Sequence, residues 1–390
     1  MKSNRHYPLD WLRVIATAGV FLFHSGAAYM AGDWHLNAPT KSFAITIWNS
    51  WLLLWLMPLL FLIAGASTRF SMQKRSAGQL LRERLNRLLI PLIFGIFVVV
   101  PPQVYIERIS RGQFAGSFWN FYPHYFDGWY LAIGGSGNFA WMGLHLWFLL
   151  LLLLMTLVAL PLRQWLQTTQ QLLVVHSWTQ RLRQPLWLSL LALPIAGIEW
   201  LWGNVGLGGW NLLAYPLFFL YGAFLFAQPT IGDSLRNARW WTLAVALFTT
   251  TLLFGTIYAD GMVAFSQYPA GWQRILHAVS GWFWVLAALG WAYRSCTRSN
   301  HFLQQANEAV LPFYILHQTV IILVGYWVNQ LPVATGVQHT MVLVISLFVI
   351  LTIYAGLIHP LSWLRYAFGM KAMRRRNTVW SYNQWRYHPS

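Results

Sequence analysis

Residues 9–29 read LDWLRVIATAGVFLFHSGAAY. The run is long enough to cross a ~30 Å hydrocarbon core as a helix, yet it carries Arg13 and His24. The two are 11 positions apart, which on a helix falls about 20° beyond three full turns and about 16 Å along the axis. They therefore share one face. A guanidinium at the centre of a span costs about 2.5–3.5 kcal/mol on insertion scales, and such residues usually face a polar interior. Two readings are open for the pair. One is function along a polar face. The other is that Arg13 reaches the headgroups and pairs with Asp10, while His24 bonds a neighbouring helix.

The rest of the chain has the same character. Of 390 residues, 57% are hydrophobic and 9% charged, against about 25% charged in soluble domains. Nine further apolar stretches follow, near 45–66, 88–105, 141–161, 186–203, 210–228, 239–258, 272–293, 308–330 and 338–360. The expectation is an all-α, polytopic membrane bundle of about ten transmembrane helices, one integral domain over 1–370 with a basic tail at 371–390. The single cysteine, Cys296, excludes an intrachain disulfide framework and a thiolate metal cluster.

A net charge of +17 would suggest nucleic acid in a soluble protein, but the positions of the charges say otherwise. With a cytoplasmic N-terminus, 21 basic residues fall in inside segments and 3 (Lys41, Arg108, Arg111) outside. That asymmetry is the positive-inside pattern of a bundle with both termini in the cytoplasm. It implies a multi-pass protein of the bacterial inner (plasma) membrane with the lipid bilayer as partner, and no nucleic acid. Lys2 and Arg5 before an apolar run imitate a signal peptide; Asp10 and Arg13 interrupt that pattern.

Three connections are long. Residues 67–87, basic and helical in character (RSAGQLLRERLNRLLIP begins at Arg75), look like an interfacial lead-in to the third span. Residues 106–140 include FAGSFWNFYPHYFDGWYLAIGGSGNF (114–139), dense in aromatics and glycine. Residues 162–185 form a polar cytoplasmic connector. Arg82, Arg84 and Arg87 cluster at the inner end of the third span, and Arg84 and Arg87 project on one helical face. Guanidinium forks suit phosphate oxygens, so a ligand with several phosphates fits there; simple positive-inside anchoring explains the cluster equally well. MPLLFLIAGAS (57–67) places Gly65 and Ser67 where helices can approach closely. His145 and Trp147 fall near the outer end of the fourth span, Tyr314 and His317 in the ninth, and Glu199 is an acid well inside the fifth. For His145, His317 and Glu199 a structural hydrogen bond is at least as natural as chemistry. No HExxH or comparable metal spacing occurs.

Taken together, these motifs resemble the membrane acyltransferase 3 family. Its Arg–ten residues–His pair is matched by Arg13 and His24, and its Arg-x-x-Arg motif by Arg84-Leu85-Asn86-Arg87. FLIAGAS, His145-Leu146-Trp147-Phe148-Leu149 and Tyr314-Ile315-Leu316-His317 follow in the family's order. Within it, WHLN (34–37) and HLWFLL (145–150) look closest to the branch that succinylates periplasmic glucans, although Gln318 stands where that branch tends to have a second histidine. The resemblance implies acyl-CoA as cytoplasmic co-substrate with no permanently bound cofactor, and an extracytoplasmic carbohydrate acceptor. Arg84 and Arg87, helped by Arg13 and Arg82, would hold the coenzyme's phosphates, and the thioester would then reach His24 along a hollow. His24 would act as general base or as nucleophile. Trp119, Tyr122, Tyr125, Trp129 and Tyr130 are candidate sugar platforms, or alternatively an interfacial belt, with Asp127 and Glu107 as orienters of hydroxyls. A carrier or flippase using the same polar face is the competing class.

Overall fold

The computed structural model describes residues 6–166, 181, 184–203, 206–227, 230–259 and 270–371. The tail from 372 onward and most of the 162–185 connector lie outside the described residues. Helix α1 spans Tyr7–Ala27, and its proline at the second position leaves no helical hydrogen bond unmade. Helix α2 (Phe43–Lys74) is capped by Ser42, whose side chain accepts from the Ile45 N–H. Helix α3 runs unbroken from Ala77 to Ser110, so the expected interfacial lead-in and the third span are one helix. A capping box between Ser76 and Gln79 starts it. After α4 (Phe118–His124) come α5 (Trp147–Leu166), α6 (Leu186–Trp202) and α7 (Ala214–Leu225). The chain continues through α8 (Ile231–Ala259), α9 (Gly271–Ser295), α10 (His301–Val328), α11 (Thr335–Ile353) and α12 (Ser362–Ala367).

Among the described residues, seven helices are long and apolar enough to cross a membrane: α2, α3, α5, α8, α9, α10 and α11. The expectation of ten full-length spans is thereby coarsened. Helix α1 has the length but is interrupted by Asp10, Arg13 and His24. Helix α7 has 12 residues, about 18 Å of rise, short of a ~30 Å core. A small antiparallel hairpin, β1 (Gly206–Leu207) with β2 (Trp210–Asn211), joins α6 to α7.

Two π-helical turns, Leu85–Leu89 and Gly95–Val99, widen α3. The second precedes Pro101 and Pro102, which have no N–H to offer the preceding turn. Phenols replace it, with Tyr122 Oη donating to the Phe97 carbonyl at 3.0 Å and Tyr125 Oη to the Ile96 carbonyl at 2.9 Å.

Helix α2 is the central post, its most apolar stretch 78% buried, whereas that of α11 is only 22% buried. Peripheral helices turn Phe248, Val344 and Phe348 outward. So much exposed apolar surface suits lipid and not water. Helix α7 can lie against α2 because both present glycine. A Cβ on Gly65 would stand 1.8 Å from the Phe219 carbonyl oxygen, and one on Gly222 1.9 Å from that of Leu62. Helix α1 packs against α2 and α10, which brings His24 to His317.

Candidate active site

Three carbonyls fix the tautomers of three neighbouring histidines. The Val20 carbonyl lies 2.9 Å from His24 Nδ1. A carbonyl only accepts, so Nδ1 bears the proton and Nε2 keeps its lone pair. Tyr314 O does the same for His317 Nδ1, leaving His317 Nε2 to accept from His24 Nδ1–H at 3.1 Å. Ile315 O receives His145 Nε2–H at 3.0 Å, and Gln103 Nε2 donates to His145 Nδ1 at 3.4 Å. Gln318 donates in turn to Gln103 Oε1 at 3.0 Å. The net result is a His24 ring whose donor nitrogen is tied into the bundle and whose basic nitrogen has no partner among the described residues.

His24 lines a cavity of about 410 Å³, together with Trp34, His35, Tyr130, His145, Trp147, Tyr314 and Gln318. Its remaining wall is mostly Leu, Ile, Met and Phe, and no Lys or Arg lines it among the described residues. Gly143 (φ 76°) and Leu144 (φ 49°) are both left-handed immediately before His145. A leucine held there is strained, and strain of this kind collects at functional sites.

A second cavity, of about 910 Å³, opens at the other end of α1. Asp10, Arg13, Thr17, Ser67, Glu83, Arg84, Arg87, Glu308, Arg365 and Lys371 line it. Arg13 donates to Ser67 Oγ at 2.9 Å and Arg84 to Thr68 Oγ1 at 3.2 Å, so the small-residue end of α2 orients both guanidiniums. Arg365, almost fully buried, is held by Glu308 at 2.6 Å. Arg84 Nε is out of contact with water and has no partner among the described residues. A buried donor left over in this way suits an incoming anion. Tyr314 lines both cavities, and its phenol donates to the His145 carbonyl. The hollow expected from sequence is thus two chambers that meet at one tyrosine.

The sequence-derived candidates separate accordingly. Arg13, Asp10, Arg84 and Arg87 come together in the larger chamber; Arg82 is exposed and outside its wall. His24, His145, Trp147 and Tyr314 come together at the smaller one, with His317 behind His24. Glu199 is in neither; it accepts the Asn211 N–H at 2.9 Å and anchors the β1–β2 hairpin. Tyr125 is fully buried and, with Tyr122, serves the carbonyls of α3, so of the candidate platform rings Trp119 and Trp129 are the exposed ones. Asp127 pairs with His124 on the surface at 2.8 Å.

The reading from sequence gave no role to His35. It lines the His24 cavity, and its Nδ1 sits 2.6 Å from Glu107 Oε2. Glu107 also accepts from Tyr130 Oη at 2.7 Å and from the Gly134 N–H at 2.7 Å, with Arg108 at 3.4 Å. Burial, reinforced by the Glu107 carboxylate, raises the Tyr130 phenol well above its ordinary range, so it remains a donor. The available signal was Glu107 itself, one of nine acids in the chain, placed at the end of an apolar span.

Residues 6–359 match the profile of the acyltransferase 3 family, described as an acyltransferase domain. The chain belongs to that family and is a membrane acyltransferase. Among curated relatives, it is similar to the glucans biosynthesis protein C of Salmonella paratyphi B, Salmonella agona and Salmonella enteritidis. Each is 22% identical over 341 residues, covering 84% of this chain and 85% of theirs. No solved structure matches.

Proposed function

We propose that the protein sits in the bacterial inner membrane and moves an acyl group, acetyl or succinyl, from cytoplasmic acyl-CoA to hydroxyls of an extracytoplasmic glycan or glycolipid. The observation that carries this reading is the paired geometry. An arginine-lined chamber with an unsatisfied buried guanidinium nitrogen meets, at Tyr314, a chamber into which His24 offers a basic nitrogen. Arg84, Arg87 and Arg13 bind the phosphates of coenzyme A, and the pantetheine arm passes Tyr314 to bring the thioester to His24. A neutral imidazole there serves as base on the acceptor hydroxyl or takes the acyl group itself; base catalysis of this kind contributes roughly 10²–10⁴-fold. Membership of an acyltransferase family favours this chemistry over the carrier reading.

Of the two acyl groups, the cavity favours acetyl. A succinyl carboxylate beside His24 would find no lining Lys or Arg among the described residues to pair with, and a buried unpaired charge is costly. The glucan named by the relatives is the natural first acceptor to try. Inverted membrane vesicles containing the protein, given labelled acyl-CoA outside and glucan inside, should accumulate acylated glucan. Label that stays on coenzyme A, with protein and acceptor present, would reject the reading.

A further inference from the structure

We propose that His35, held by Glu107, is the base that activates the acceptor hydroxyl, and that His24 accordingly carries the acyl group as nucleophile. This inference rests on the acyl-transfer reading above and divides its labour between two imidazoles.

Glu107 is fully buried at the end of an apolar helix, where an ionised carboxylate persists only if it is paired and hydrogen-bonded. Four donors meet it: His35 Nδ1–H, Tyr130 O–H, the Gly134 N–H and Arg108. A carboxylate only accepts, so it fixes His35 as the Nδ1–H tautomer and leaves Nε2 basic. His35 is itself almost wholly buried yet lines the His24 cavity, and its Nε2 has no partner among the described residues. A carboxylate orienting an imidazole whose far nitrogen faces a substrate cavity is the arrangement that produces a general base. Trp34 packs near both histidines, its ring 6.2 Å from that of His24 and 5.5 Å from that of His35.

The position also fits the acceptor side. His35 follows α1 at its His24 end, and Tyr130 joins it from the aromatic loop, whereas the arginine chamber lies beyond Tyr314. The titratable and charged groups around His35 are Glu107 and Arg108 from α3, Tyr130 from the aromatic loop, His24 from α1, His145 across the cavity just before α5, and the Asp33–Arg111 pair beside it (2.8 Å).

In the first half-reaction His24 Nε2 attacks the thioester carbonyl carbon. The C–S bond breaks, and its electron pair leaves on the coenzyme A thiolate. The acylated ring keeps its Nδ1–H on Val20 O and His317 Nε2. In the second, the acceptor oxygen bonds to the acyl carbon while its proton passes to His35 Nε2. The bond from that carbon to His24 Nε2 breaks, and the pair returns to the ring. His35 then gives its proton to water, and the thiolate takes one.

The test uses the full chain in lipid nanodiscs with labelled acetyl-CoA and a glucan oligosaccharide. Wild type should release close to one thiol per protein without acceptor and turn over with it. His35→Gln should keep that single-turnover thiol release and lose acceptor transfer by about 10²–10⁴-fold. His24→Ala should lose both. Glu107→Gln keeps one accepting oxygen but loses the carboxylate that stabilises the imidazolium formed as His35 takes the acceptor's proton, so acceptor transfer should fall while single-turnover thiol release stays near wild type. Acceptor transfer by His35→Gln within about threefold of wild type would overturn the assignment, as would equal loss of both half-reactions in a variant that still binds coenzyme A. A wild type that turns over with acceptor but releases no thiol without it would overturn the nucleophile assignment, whereas one that releases no thiol even with acceptor would instead overturn the acyl-transfer reading itself.

Discussion

His317 separates positioning from chemistry in the histidine chain, and its replacement by phenylalanine has a calculable cost. His317 Nε2 accepts one of the two contacts made by His24 Nδ1–H; the other, to Val20 O at 2.9 Å, survives the substitution. The tautomer of His24 is therefore retained, and what is lost is one neutral hydrogen bond, worth about 0.5–1.5 kcal/mol net. Taken wholly from the transition state, that is about a 2- to 13-fold fall in kcat/KM at 25 °C. His317→Phe also removes the donor to Tyr314 O, which adds a stability cost visible in a thermal melt but not a further chemical one. The assay is acyl transfer from labelled acyl-CoA to glucan by protein in nanodiscs, at saturating and limiting donor. A loss as complete as that of His24→Ala, in a variant whose melting temperature and coenzyme A binding are near wild type, would refute the reasoning. It would place His317 among the groups that exchange protons with substrate.

Three further expectations concern other parts of the account. Arg84→Ala with Arg87→Ala removes charge-assisted contacts worth about 1.5–3 kcal/mol each. Each should raise the KM for acyl-CoA by at least about tenfold and leave the KM for glucan unchanged, as read by steady-state kinetics. Acetyl-CoA should outcompete succinyl-CoA by more than about tenfold in kcat/KM, the direction set by burying an unpaired carboxylate; equal use would remove the argument from the cavity wall. Gly65→Ala should lower stability by about 1–3 kcal/mol through overpacking, because its methyl group meets the Phe219 carbonyl. Gly336→Ala, with open space around it, should melt like wild type.

The sequence revealed most where one element alone sets the geometry. Arg13 and His24 share a face by helical period, and they do line the two chambers served by α1. Gly65 and Ser67 could be read as a close-contact end of α2, and they fill that role against α7 and Arg13. Legibility failed where distant segments must meet. His35 and Glu107 are 72 residues apart, and only the packing of the α1–α2 connection against the end of α3 joins them. Helices α6 and α7 are apolar enough to imitate spans, but average hydropathy does not reveal that a glycine-rich hairpin interrupts them. Tyr122 and Tyr125 looked like sugar platforms because aromatics are ambiguous in sequence. Their task of supplying the donors that Pro101 and Pro102 lack becomes visible only when the loop lies on the helix.

The central claim is that His24 handles the acyl group delivered past Tyr314 from the arginine chamber. The most direct test compares wild type and His24→Ala in nanodiscs, measuring coenzyme A binding by titration and acylated glucan by mass spectrometry on the same preparations. The account requires donor affinity unchanged within about threefold and product abolished, because Arg13, Arg84 and Arg87 remain in place while the basic nitrogen is gone. Acylated glucan formed by His24→Ala at a rate near wild type would contradict it.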